Sequence, residues 1–136
     1  MNAKEIVNKM MRSDHFSKWL GIQVIKVAPG YCKLKCVVKR DVLNGFGIAH
    51  GGFTYSLADS ALAFAANSSG TQCLSVETVI SHTRKLSEGD VVTAEALLVS
   101  ESSKFGYFEV KLTSKRKIVA IFKGTVYKTE KKWSTQ

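Results

Sequence analysis

Between Phe53 and Asn67 the chain runs through fifteen residues rich in alanine and leucine, with no proline and a single charge, Asp59. Such a run forms a helix, and a helix this apolar has to be buried. Four glycines in nine residues, Asn44-Gly45-Phe46-Gly47-Ile48-Ala49-His50-Gly51-Gly52, lead into it, and Asn67-Ser68-Ser69-Gly70 follows as a left-handed cap and turn. At about 100° per residue, Phe53, Leu57, Ala61 and Phe64 share one broad side that should pack on a sheet. Asp59 points the other way, among Gly52, Tyr55, Ser56, Ala63 and Ala66, a mostly small-residue face that suits an interface or a closely approaching ligand.

The remaining segments read as strands. Ile22 to Val27 and Tyr31 to Lys39 flank Ala28-Pro29-Gly30, a turn signal, and form a hairpin. After the helix come Cys73 to Ser81, Asp90 to Val99, Gly106 to Ser114 and Ile118 to Lys128, separated by turn-prone residues. Hairpin, one apolar helix, then four antiparallel strands is an α+β order in which a single sheet wraps its concave face around the helix. At 136 residues there is room for one core. We divide the chain into a helical flap over 1–20, the main domain over 21–129 and a polar tail over 130–136.

The formal net charge is +9, a field that attracts nucleic acid, anionic lipid or a small polyanion. Helix-turn-helix, zinc-finger and aromatic RNA-binding signatures are missing and much of the charge is scattered through loops and the tail. A small phosphate-bearing ligand therefore fits at least as well as a duplex, and a solvated basic surface fits equally. We expect neither a nucleic-acid nor a membrane partner. Cys32, Cys36 and Cys73 form no C-x-x-C pair and are expected as reduced thiols. Cys32 and Cys36 share a strand face and would hold a metal only if His15, His50 or His82 converged on them, so no metal site is expected. Met1 to Arg12 lacks an apolar signal region and no apolar stretch reaches a membrane span, which points to the cytoplasm.

Two features carry chemistry. A carboxylate in so apolar a helix is costly to bury without a partner, which marks Asp59 as a site residue or a structural hydrogen-bonder. At the helix start, the N–H groups of Gly51 and its neighbours lack intrahelical acceptors and sit at the positive end of the helix dipole, suited to a developing oxyanion. The same H-G-G also reads as a tight turn capped by His50. Gly51 and Asp59 are eight residues apart, about 12 Å at about 1.5 Å per residue, too far to act on one carbonyl. Two helices running antiparallel across a two-fold axis would bring them together, giving two equivalent sites at a dimer interface.

Asn44-x-x-Gly47-x-x-His50-Gly51-Gly52, with Leu57-Ala58-Asp59-Ser60-Ala61, Ala66-Asn67-Ser68, Ser75-Val76-Glu77 and Gly89-Asp90-x-x-x-Ala94-Glu95-Ala96, resembles the hotdog-fold thioesterases of the phenylacetate-degradation type. The resemblance spans nearly the whole domain and implies a hotdog fold and metal-free hydrolysis of acyl-CoA thioesters. No cofactor is implied, coenzyme A being part of the substrate. It further implies that Gly51 N–H polarises the thioester carbonyl, that His50 and Asn44 orient that group or the attacking water, and that Asp59 of a partner chain is general base or nucleophile. Ser75 is the nearest match to an assisting serine, and Gly52 and Tyr55 fall at the substrate. Where many relatives carry proline after the third strand, this chain has His82-Thr83-Arg84-Lys85-Leu86, which sets Arg84 and Lys85 where CoA phosphates would lie, or in a solvated turn. A homodimer, assembling further to a tetramer, is expected. A hotdog hydratase or dehydratase on acyl-CoA or acyl-carrier protein and a non-catalytic acyl-CoA sensor are the competing readings. Pocket size would depend on which of Tyr55, Phe46, Phe105 and Tyr107 reach the cavity.

Overall fold

The computed structural model describes residues 1–135. In chain order it contains α1 (Ala3–Ser13), α2 (His15–Leu20), β1 (Gln23–Ala28), β2 (Tyr31–Val37), a short 3-10 turn (Arg40–Val42), α3 (Gly51–Asn67), β3 (Thr71–His82), β4 (Val91–Glu101), β5 (Phe105–Ser114) and β6 (Lys117–Lys132). The six strands form one antiparallel sheet in the order β1-β2-β4-β5-β6-β3. The strand that follows the central helix therefore crosses to the far edge, where it pairs with β6. Hairpin, helix and four strands occur as read from the sequence, and the β1–β2 turn closes at Gly30 with φ of +73°.

α3 lies in the concavity of the sheet. Phe53, Leu57, Ala61 and Phe64 are buried, as the helical wheel requires, against Leu34, Val92, Ala94, Val110, Leu112 and Phe122. Glycine at 124 permits this close approach: a Cβ there would fall 2.5 Å from Leu62 Cδ2. Ala66, assigned by the wheel to the open face, is instead buried, because Cys73 on the neighbouring strand closes over its carbonyl. Cys32 and Cys36 project from β2 into the core, and burial pushes the Cys32 thiol up to about 12.

The far end of α3 is held by Asn67, which is buried and fully used. Its amide donates to the carbonyls of Ala63 and Cys73, while its oxygen accepts from Cys73 N–H at 2.9 Å and Trp133 Nε1 at 2.8 Å. The left-handed residue that ends the turn is Gly70, at φ of +102°, and its N–H donates back to the Asn67 carbonyl. β6 runs to Lys132 and Trp133 then clamps Asn67, so the stretch read as a polar tail from 130 opens as strand and fastens the core. A charged strand end is tolerated here because one face of it is solvated while the indole supplies the anchor.

The flap is two helices. α1 opens with a capping box between Asn2 and Glu5 and buries Ile6 and Val7. α2 is tied to the central helix by the Ser17 hydroxyl, 2.9 Å from Ser60 Oγ and 2.7 Å from Asp14 Oδ2. Among the described residues no helix is long and apolar enough to cross a membrane. Removing the Asn67 side chain strands buried donors and acceptors on three elements; Asn67→Ala is expected to lose about 2–4 kcal/mol of stability, measured by urea denaturation.

Candidate active site

The glycine-rich segment folds around Asn44. Its side-chain Oδ1 accepts from Phe46 N–H at 2.9 Å and Ile48 N–H at 3.3 Å, and its backbone N–H donates to the Ile48 carbonyl at 2.7 Å. This closes the loop and delivers the chain to α3. The helix starts at Gly51, two residues earlier than its alanine-rich run suggests, because His50 caps it: Nδ1 accepts from Gly52 N–H at 2.8 Å. Glycine at 52 leaves room for that ring, since a Cβ would meet Nδ1 at 3.0 Å. With Nδ1 accepting, the neutral ring carries its hydrogen on Nε2 and is a donor there. Among the described residues the Gly51 N–H has no acceptor, so the positive end of α3 presents an unsatisfied donor.

Two clefts flank this helix start. One, of about 370 Å³, is lined by Gly51, Thr54, His82, Arg84, Lys85 and Leu86 with Ile48, Ala49 and Thr83. The other, of about 310 Å³, is largely apolar, with Phe16, Trp19, Leu20, Val42, Leu43 and Phe53 beside Asp41, His50, Gly52 and Ser56. Phe16 and Trp19 of α2 form an aromatic wall there, their rings 5.9 Å apart, and both are more than half exposed.

Asp59 and Ser75 lie elsewhere. Asp59 is half-buried two helical turns along α3 and makes no hydrogen bond or ion pair among the described residues; burial raises its carboxyl above the ordinary carboxylate range. Ser75 sits opposite Val126 at an irregularity of β3. On the same strand Cys73 reaches Ala66 and Thr78 reaches Tyr55, which places Ser75 beside the Asp59 half of the helix. His82, at the other end of β3, abuts Gly51. The chain thus assembles Asn44, His50, Gly51, Gly52, Arg84 and Lys85 at the N-terminal end of α3, and Asp59 with Ser75 beside the middle of the helix.

Tyr55 belongs to neither cleft: its hydroxyl bonds that of Thr78 and its ring meets Phe122 edge-on at 5.4 Å. Phe105 and Tyr107 lie on the outer sheet face, Phe105 edge-on to Tyr127, and Phe46 is 90% exposed, so none of the three shapes a cleft beside α3. Side-chain alternation along β5 turns positions 105 and 107 away from the concave face. The aromatic wall comes instead from α2, and the cleft beside Gly51 gains Thr54 and His82. A hydroxyl one turn into α3 and a histidine at the end of β3 were the only signals for that pair, and only folding brings them together.

The thioesterase superfamily model matches residues 46–121. The acyl-coenzyme A thioesterase PaaI of Escherichia coli is 32% identical over 90% of this chain and 88% of its own length, and the human acyl-coenzyme A thioesterase 13 is 30% identical over 84% of each. The structure of the E. coli PaaI protein superposes with a TM-score of 0.94 at 29% identity, covering 97% of this chain and 96% of that one. A structure of phenylacetic acid degradation protein PaaI from Thermus thermophilus is 38% identical over 84% of this chain and 98% of that one, with a TM-score of 0.82. The chain belongs to the thioesterase superfamily, as a hotdog-fold member of the PaaI type.

The unpartnered Asp59 sets a stability signature. Because its folded pKa lies above the unfolded value, the native state loses stability as pH rises from the ordinary carboxylate range, about 3.9, through the raised value. Asp59→Asn is therefore expected to melt higher than the parent at neutral pH, with the gap closing below that range, in thermal melts recorded across pH.

Proposed function

We propose that this protein hydrolyses acyl-CoA thioesters to the free acid and coenzyme A, at two equivalent sites built between antiparallel α3 helices of a homodimer. The observation that carries the reading is the unsatisfied Gly51 N–H at the positive end of a long buried helix, with an apolar cleft on one side and a basic cleft on the other. The carboxylate at the middle of α3 supports the dimer, since Asp59 stands about 12 Å from Gly51 within one chain. Edge strand β3, with Leu74, Val76 and Val79 each more than half exposed, supports sheet pairing across the same axis. Outer-face Leu97, Val99 and Tyr107 are then available for a tetramer of two such dimers.

In this mechanism the thioester carbonyl oxygen accepts from Gly51 N–H, a contact that strengthens as negative charge develops on that oxygen. Asn44 Nδ2 and His50 Nε2–H orient the carbonyl or the attacking water. Asp59 of the partner subunit takes a proton from that water as its oxygen bonds to the carbonyl carbon, and Ser75 beside it holds the water. The tetrahedral intermediate collapses with loss of the C–S bond, releasing CoA thiolate, which takes up a proton. The raised carboxyl makes Asp59 a stronger base than an exposed aspartate. Gly52 and the aromatic wall receive the acyl group, Arg84 and Lys85 receive the CoA phosphates, and no metal or cofactor is needed. Such an enzyme would work in the cytoplasm, on the CoA-thioester pool.

Free-thiol release from a panel of acyl-CoAs tests the reading; a protein that binds them without releasing thiol, or hydrates enoyl-CoA, would overturn it. Asp59→Asn should assemble as the parent does yet lose at least about 100-fold in kcat. The acid limb of kcat/KM in the parent should fall above the ordinary carboxylate range, because a base must be deprotonated and burial has raised Asp59. Arg84→Ala with Lys85→Ala should raise KM at nearly constant kcat. That effect should shrink with salt and vanish for a pantetheine thioester lacking the nucleotide phosphates.

A further inference from the structure

Two consecutive glycines are the loosest backbone a helix start can have, yet a donor that stabilises charge in a transition state must be aimed beforehand. The peptide joining Gly51 to Gly52 is gripped at both ends by side chains. Its N–H donates to His50 Nδ1 at 2.8 Å, and its C=O accepts from Thr54 Oγ1 at 3.0 Å. Thr54 is held in turn by His82, whose Nε2 lies 2.6 Å from the same hydroxyl oxygen. One hydroxyl hydrogen serves one acceptor, so with it on the Gly51 carbonyl, His82 Nε2 supplies the N–H of the second bond. The imidazole of His82 also packs against Gly51, with Cε1 3.2 Å from where a Cβ would be.

We propose that Thr54 and His82 are positioning residues for the oxyanion donor: they lock the Gly51–Gly52 peptide plane and thereby aim the one N–H of the segment that is left free. This rests on the thioesterase reading above for its catalytic meaning, while the clamp itself is a property of the folded chain. Neither residue needs to touch the substrate. The clamp ties the start of α3 to the end of β3, 28 residues further along the chain, so the sheet as well as the loop sets the direction of the Gly51 N–H. It also gives His82 a reason to stand beside Arg84 and Lys85: the strand end that brings the cations to the cleft also braces the helix start.

The test compares Thr54→Val, which keeps the shape and deletes the hydroxyl, with Thr54→Ser, which keeps the hydroxyl. His82→Ala and His82→Gln make the same comparison at an exposed position that folding tolerates. In the acyl-CoA assay, Thr54→Val and His82→Ala should lose roughly tenfold in kcat with KM within about twofold, and Thr54→Ser and His82→Gln should recover most of it. Independently of substrate, ¹⁵N relaxation of the Gly51 and Gly52 amides should show increased disorder in Thr54→Val and parent-like order in Thr54→Ser. Unchanged kcat in Thr54→Val, equal losses in Val and Ser, or undisturbed Gly51 and Gly52 amides would overturn the proposal. If the parent releases no thiol from any acyl-CoA, the hydrolytic reading fails, and the relaxation comparison still decides whether the clamp exists.

Discussion

Everything in this molecule depends on hiding α3. A 17-residue helix with ten buried residues leaves only a partly exposed stripe through Tyr55, Ser56, Asp59, Ser60 and Ala63, and burying an apolar surface of this size is the dominant favourable term in folding a chain this short. One sheet has to curve around it. Small residues at the contact, Ala58, Ala61 and Ala65 on the helix and Ala94, Ala96, Ala120 and Gly124 on the strands, let backbone approach backbone while Phe64, Leu57 and Phe122 fill the space between. Three of the buried polar residues, Thr54, Asn67 and Ser68, lie at the two ends of the helix. At the C-terminal end Asn67 is saturated, and Ser68 Oγ accepts from Gly30 N–H while its one hydrogen has the Ala28 and Ala65 carbonyls, at 2.8 and 2.7 Å, as alternative acceptors.

The two ends of α3 are therefore unlike. At the C-terminal end every polar atom of Asn67 is used, which is what stability asks of a buried amide. At the N-terminal end the peptide between two glycines is fixed at both its N–H and its C=O, while the N–H just before it is left without an acceptor. A free donor at a helix start is ordinary when it faces water. Here the helix start lies between two clefts, one apolar and one basic, with Gly51 lining the basic one, and the surrounding bonds restrict the motion that tandem glycines would otherwise allow. Asp59 is the second departure from a stability optimum, a half-buried carboxylate with its pKa raised by desolvation. Departures of this kind cluster where a protein does chemistry.

How much of this was legible differs by residue. The roles of Phe53, Leu57, Ala61 and Phe64 follow from helical periodicity alone, and the tight turn at Pro29-Gly30 from backbone restrictions of those two residue types. Asn44, His50, Gly51 and Gly52 are close in sequence, so their convergence needs only a loop and a helix start. Whether Phe105 and Tyr107 reach the cavity was open in the sequence, because strand alternation fixes only that neighbours face opposite sides, without saying which side is the concave one. Trp133 was hidden because nothing in a lysine-rich terminus announces that its indole will meet the end of a helix 66 residues earlier.

The sequence by itself determined the elements, their order and the chemistry available at the start of α3, because propensity, periodicity and capping act over a few residues. It also determined, through the eight-residue spacing of Gly51 and Asp59, that one chain holds these two groups apart. Only the tertiary structure decided that β3 crosses to the far edge of the sheet, which carries His82 to Thr54 and leaves Ser75 beside the middle of α3. Only it decided that the aromatic wall beside His50 comes from α2 rather than from β5. These are contacts between residues tens of positions apart, and they are set by which strand pairing best covers the helix, a competition settled by the whole buried surface and not by any local stretch of chain.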